Sequence, residues 1–294
     1  MGTVTESPSR LAWRVTEPLH ALVYLVPEAS EVYARLGLDP MAGYFAARGA
    51  AFGEAGPALV AATFYNFNPA MVARALPAAW RVVTPEQMIA ARLEIAGEAL
   101  TRALGAGVVT SREVAEAAEL ARTAALDAAA MPHGRPLFAA HTELPWPDEP
   151  HLRLFHAQTL LREFRGDGHI AALLEAGISG LESIVLHVAT GAIDGRFLKI
   201  TRGWSDAEWA AAAEGLRSRG LMAGDELSEE GRRVRESLEA ATDRLAEPAY
   251  RALGERGCLR LAELTRPLSR TVVKAGMMNP AALTEAASER QHAG

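Results

Sequence analysis

The sequence predicts a mainly α-helical fold built as a tandem pseudo-repeat of two helical halves. Three observations carry that prediction. Capped amphipathic segments recur along the chain, strand signals are few and short, and five sequence anchors repeat in the same order. In Pro85–Leu104, Met88, Ala91, Ile95 and Leu100 fall near one face at helical spacing. Thr84 stands before it as an N-cap, Pro85 takes the first helical position, and Gln87 completes a capping box. Ser111–Met131 follows, with Ser111 as cap and Val114, Ala118, Ala121 and Ala125 as a narrow apolar stripe. Ser205–Arg219 opens on the box Ser205-Asp206-Ala207-Glu208, and Ser228–Leu245 opens on another serine cap with Gly231 in its first turn. The strand candidates Val23–Val26, Leu59–Thr63 and Leu198–Thr201 are so short that they suit a helix equally.

A length of 294 residues suits two domains of about 150 residues each. Proline-rich Leu144–Pro150 falls almost at the midpoint, and each proline there removes a donor and biases its predecessor away from helix. The expected division is an N-terminal helical half over 12–143, a linker over 144–150, a C-terminal half over 151–280 and a frayed polar tail over 281–294. The anchors of the repeat are Trp80 with Thr84 against Trp204 with Ser205, and Ser111 against Ser228. Phe64–Phe67 matches Leu186-His187, and Gly43-Tyr44 matches Gly168-His169, all with offsets of 117 to 125 residues. Alanine-rich helices also match one another cheaply, which is the plainer explanation. A true duplication would place a cleft about a pseudo-two-fold axis, with Tyr44 opposite His169 and Tyr65 opposite His187.

Composition removes several function classes. The net charge is −6, and the single cysteine, Cys258, excludes an internal disulfide and a cysteine-based zinc site. No run approaches the ~18 apolar residues of a membrane span, and Met1–Arg10 lacks a signal pattern. A soluble, cytoplasmic protein without a membrane partner is therefore expected. Only Lys199 and Lys274 among the 30 basic residues are lysines, a bias that with the abundant alanine reads as GC-rich coding. The arginine count is accordingly no evidence for phosphate binding. No nucleophile elbow, phosphate loop or dinucleotide fingerprint is present.

The stretch Trp204–Leu245 carries the phrase Leu216-Arg-Ser-Arg219-Gly220-Leu221, a short acidic segment Gly224-Asp225-Glu226, and Leu227-Ser228-Glu-Glu-Gly231 opening a long helix. It resembles the MarR-type winged-helix regulators, which implies a winged-helix-like second half and, through the repeat, a similar first half. Ala171–Gly191 would supply the helix-turn-helix, with Gly177 at the turn. The phrases ATFYNFNP, LLREFRGDGH, VLHVATG and RGWSDAEW also resemble an actinobacterial family of helix-turn-helix proteins over nearly the whole length. That resemblance implies no particular reaction. DNA reading requires cations on the reading helix and around it. Ser179–Gly191 carries Glu182 and no Arg or Lys, the Ser205 helix opens on Asp206 and Glu208, and the wing is acidic. Nucleic acid is thus a partner disfavoured by charge.

The densest polar constellation is His156, Arg162, Glu163, Arg165, Asp167 and His169. The reading expects Gly166-Asp167-Gly168 to break the helix, Asp167 to cap the next one, and His169 to start it with a neutral imidazole. His169 and His187 are the catalytic candidates, although His187 lies in an apolar run that suits a core histidine. The ligand-binding candidates are His20, Tyr44, Tyr65, Asn66, Asn68, His156, Arg162, Arg165, Asp167 and Trp204. Thr63–Pro69 joins three aromatics to two asparagines, a composition suited to a flat organic ligand, or to a loop in which Asn68 caps the next helix. No metal site is expected, since His141, His151 and His156 lack zinc spacing. Haem on a single histidine leaves no spacing signal and stays open. The leading expectation is a small-molecule-binding protein with a pocket between its halves, acting as receptor or enzyme for an aromatic or polycyclic metabolite. The rival is a ligand-responsive DNA-binding regulator, a homodimer presenting two reading helices about 34 Å apart.

Overall fold

The computed structural model describes residues 6–193 and 195–278. The fold is mainly α, as the helical periodicity predicts. The chain runs through α1 (Pro8–Ala21), α2 (Pro27–Arg35), α3 (Pro40–Gly49), α4 (Pro57–Phe64), α5 (Pro69–Ala75), α6 (Pro85–Leu104), α7 (Ala106–Val109), α8 (Arg112–Ala128) and α9 (Pro136–Thr142). It continues through α10 (Pro150–Glu175), α11 (Gly180–Val188), α12 (Gly195–Arg202), α13 (Asp206–Ser218), the hairpin β1 (Met222–Ala223) and β2 (Glu226–Leu227), α14 (Glu229–Ala246) and α15 (Gly254–Lys274). Eight of these helices, α1 to α6, α9 and α10, start on proline, whose missing N–H falls where the helix leaves a donor unused. The Thr84–Gln87 and Ser205–Glu208 capping boxes form as expected, and a third closes on Ser179 and Glu182.

None of the strand candidates forms a strand. Leu22–Tyr24 is a 3-10 turn, Leu59–Thr63 belongs to α4 and Leu198–Thr201 to α12. A run of four or five apolar residues carries too few periods to tell strand from helix, and Pro57 two residues upstream of Leu59 starts a helix. The described strands are β1 and β2, paired antiparallel with Met222 opposite Leu227 and Gly224 at the turn with φ +63°.

The expected break at Gly166-Asp167-Gly168 is absent, because α10 runs unbroken for 26 residues. Gly168 serves close packing instead. A Cβ on Gly168 would lie 2.8 Å from the Arg135 guanidinium and 3.1 Å from the Leu245 Cβ. Consequently His169 lies inside a helix rather than at its start. Asp167 caps a helix other than the one expected, accepting from the Phe138 N–H of α9 at 3.0 Å.

Two apolar cores flank α10. The larger includes Phe45, Met88, Ile95, Phe138, Phe155 and Phe164, with α1, α3, α6, α8 and α15 around it. The fully buried alanine stripe of α8, from Ala117 to Ala128, lets α10 approach closely. The smaller core joins Leu173, Ile178, Val185, Leu216, Leu221 and Leu238 from the end of α10, α11, α13, β1 and α14. The division between the cores falls within α10, between Phe164 and Ala172.

The loop from α4 to α5 clasps the two bodies together. Tyr65 Oη donates to the Ile178 carbonyl at 2.7 Å, Trp204 Nε1 donates to the Asn66 carbonyl at 2.9 Å, and Asn68 N–H donates to the Arg202 carbonyl at 2.9 Å. Asn68 also caps α5 through Ala70 N–H. Trp204→Phe keeps the ring but leaves the Asn66 carbonyl without its donor. It is expected to lower stability by about 1–2 kcal/mol in denaturant titration, with the helical circular-dichroism signal unchanged.

Candidate functional site

Along the clasp lies a cavity of about 450 Å³. One wall comes from the Leu22–Tyr24 turn, α2, α3 and the Phe64–Phe67 loop, and the other from α10, α11 and α12. Its rings meet edge-on or tilted, with Tyr24 and Tyr44 centroids 5.6 Å apart and Tyr44 and Phe67 also 5.6 Å apart. Tyr65 is held at φ +55°, a conformation costing about 1–3 kcal/mol for a non-glycine residue, and its two-sided hydrogen bonding keeps it there.

Three guanidinium groups enter this wall. Arg48 comes from α3 four residues after Tyr44, donates to its hydroxyl at 3.1 Å and stacks 4.1 Å from the centre of Phe64. Arg162 donates to Glu17 at 2.9 Å and to Glu163 at 3.4 Å. The Glu163 carboxylate, itself buried, also faces Arg48 at 3.6 Å. Arg202, the last residue of α12, lies 4.5 Å from the centre of Phe67 and donates to the Thr201 hydroxyl. The Nε atoms of Arg48 and Arg202 are shielded from solvent and have no hydrogen-bond partner among the described residues.

These charges set the protonation of their neighbours. Burial would raise Glu163, but Arg48 and Arg162 outweigh it and hold the carboxyl below its usual range. Burial likewise opposes ionisation of Tyr44, yet Arg48 and Arg202 hold its hydroxyl below the ordinary tyrosine value. Asp167 goes the other way. Burial pushes it up to about 7, against the pull of the Phe138 N–H. Burial also lowers the histidine pKa at His169, whose Nδ1 lies 2.8 Å from the Thr242 hydroxyl.

Of the residues singled out in the sequence, Tyr44, Tyr65, Asn66, Arg162, Asp167 and His169 line the cavity. The others lie elsewhere. His20 stacks on Phe155 and contacts Arg92, His156 meets Trp146 edge-on, and Arg165 pairs with Asp243 at 2.7 Å. Asn68 and Trp204 belong to the clasp, and His187 lies on α11 outside the cavity lining. Sequence reading passed over Tyr24, Arg48, Phe197 and Arg202, which also line it. A Tyr-x-x-x-Arg spacing on α3 was the available signal for Arg48, whereas nothing local marks Arg202. Among the described residues no group of three or more His, Cys, Asp and Glu side chains is placed to hold a metal ion, and no single helix is long and apolar enough to cross a membrane.

Beyond the cavity, α10 turns into α11 through Gly177 at φ +63°, and the hairpin connects α13 to α14. The exposed side of α13 carries Asp206, Ala207, Ala210, Ala211 and Glu214, and the hairpin tip exposes Asp225 and Glu226. The sequence profile of a helix-turn-helix family matches residues 9–279. No curated protein and no solved structure matches the chain.

Proposed function

The chain belongs to this helix-turn-helix family, and on that footing we propose that it is a ligand-responsive regulator whose small-molecule site is the cavity between its helical bodies. The observation that carries the reading is the makeup of the cavity wall, which draws side chains from both sides of the clasp. A ligand there would touch α2 and α3 on one side and α10, α11 and α12 on the other, and so bias how the winged-helix-like body of α11 to α14 sits. The order helix, glycine turn, helix, hairpin and long helix supports that likeness. Family membership favours DNA as the partner of this body, while the acidic and alanine face of α13 supplies few counterion-releasing contacts.

The two parts separate experimentally. Saturating small-molecule panels in thermal-shift and calorimetric titrations are expected to yield a binder whose effect disappears in Ser30→Trp, which fills the cavity wall. In parallel, gel shifts at low salt with genomic duplex fragments report DNA binding. A binder lost in Ser30→Trp together with a ligand-sensitive gel shift establishes the regulator. Binding without any duplex shift removes DNA and leaves a small-molecule receptor or enzyme.

A further inference from the structure

We propose that the cavity takes an aromatic monocarboxylate, its carboxylate held by Arg48 and Arg202 and its ring enclosed by Tyr24, Tyr44, Phe64 and Phe67. This rests on the ligand-site reading and names the ligand class. The wall presents the guanidinium groups of Arg48, Arg162 and Arg202, whereas the carboxylates paired with them are Glu17 and Glu163. Arg202 has no carboxylate within ion-pair distance among the described residues; its contacts are the Thr201 hydroxyl and the Phe67 ring. Asp167, also in the lining, is lifted by burial to about 7, so below that pH one positive charge is left over in a site largely withdrawn from water, the condition under which an anion gains from pairing.

Hydrogen-bond accounting points to the same place. Among the described residues Arg48 and Arg202 each keep a buried Nε–H without an acceptor, and an unpaired buried donor on a charged group is costly. The acceptors that Arg48 does reach are shared or modest: Glu163 faces both Arg48 and Arg162, and the Tyr44 hydroxyl accepts from Arg48. A planar carboxylate supplies two acceptor oxygens to the guanidinium groups that Arg48 and Arg202 bring to the cavity wall. The apolar part of the wall is aromatic, with Arg48 and Arg202 each already stacked against a phenylalanine, so a flat ring continues an existing stack. The lowered Tyr44 hydroxyl fits the same excess of positive potential.

The test compares three naphthyl probes on the full chain by calorimetry: 1-naphthoate, its near-isosteric amide 1-naphthamide, and the bulkier 1-naphthyl phosphate. Naphthoate is expected to bind at least about ten-fold more tightly than the amide, the factor a charge-assisted bond contributes. Arg202→Met, which removes the unpaired cation but keeps an apolar stem, is expected to cost naphthoate at least about ten-fold more affinity than it costs the amide. Arg202→Lys restores part of the preference. Equal binding of acid and amide overturns the anion assignment and leaves the cavity a ligand site. Preference for the phosphate ester overturns the carboxylate. If none of the three binds, the assignment falls, and the ligand-site reading falls with it only if Ser30→Trp also fails to abolish the binder found in the panel.

Discussion

Replacing Gly180 by alanine is expected to cost about 3 kcal/mol or more of stability and to loosen the contact between the two bodies. Gly180 opens α11 directly under the clasp. A Cβ there would fall 1.9 Å from the Tyr65 carbonyl oxygen and 3.1 Å from the Asn66 Cα. Those are backbone atoms in a segment already fixed by Tyr65 at φ +55° and by its hydroxyl on Ile178, so no side-chain rotation can relieve the clash. Overpacking against immobile backbone lies at the upper end of the usual 1–3 kcal/mol range. Gly177 offers the control. Its φ is +63° with nothing within 4 Å of its virtual Cβ, so alanine there meets only the left-handed backbone cost of about 1 kcal/mol. Urea titration of both variants decides the matter. A Gly180→Ala protein no less stable than Gly177→Ala would show that the clasp is not tightly held. The same variant is expected to lose the panel ligand, since Tyr65 and Asn66 belong to the cavity wall.

Asp167→Asn is expected to raise stability at pH 8 by up to about 4 kcal/mol while changing little at pH 4. Burial lifts the folded carboxyl to about 7, from 3.8 in the unfolded chain. The folded state therefore holds its proton while the unfolded chain releases one. Its contribution is intact below the unfolded value, declines as pH rises through the interval, and is fully lost above the folded value. About three pKa steps at 1.36 kcal/mol each set the magnitude. Asparagine has no such proton to lose, and its side-chain oxygen can still accept from Phe138 N–H. The buried histidines act on the opposite flank. Burial holds His141 and His156 at about 4, so the unfolded chain gains protons below its ordinary histidine value of 6.5 and stability falls as pH drops from there toward 4. Thermal melts from pH 4 to pH 8 check both arms. The wild type is expected to lose stability on each side, and the variant only on the acidic one. A variant with an unchanged alkaline flank would refute the assignment to Asp167.

The elements that could be read from the chain are those whose signals are local. Thr84 with Gln87 and Ser205 with Glu208 stop and start backbone within four residues, and the structure closes both boxes. The alanine stripe of α8 repeats over several turns, enough periods to be unmistakable. Leu59–Thr63 failed as a strand because five residues hold too few periods, and Gly166-Asp167-Gly168 failed as a break for a different reason. A glycine pair looks the same whether it bends a chain or admits a neighbour, and here the neighbours are Arg135 and Leu245, far away in sequence.

Half of the residues singled out for a site reach the cavity, and the division follows the same logic. Tyr44 from α3 and Arg162, Asp167 and His169 from α10 meet in the cavity lining, a geometry that depends on how elements distant in sequence pack. Arg48 and Arg202 come from helices more than 150 residues apart in sequence, and no spacing rule links them. By itself, then, the sequence determined a mainly helical chain, its principal caps and periods, and an acidic balance falling on α13 and the hairpin tip. Only the tertiary structure decided that Asp167 caps a distant helix, that the loop at Tyr65 clasps two bodies, and that three guanidinium groups gather in one cavity. Caps and periods are set by residues within a turn of one another, whereas burial and uncompensated charge arise only when segments distant in sequence exclude water together.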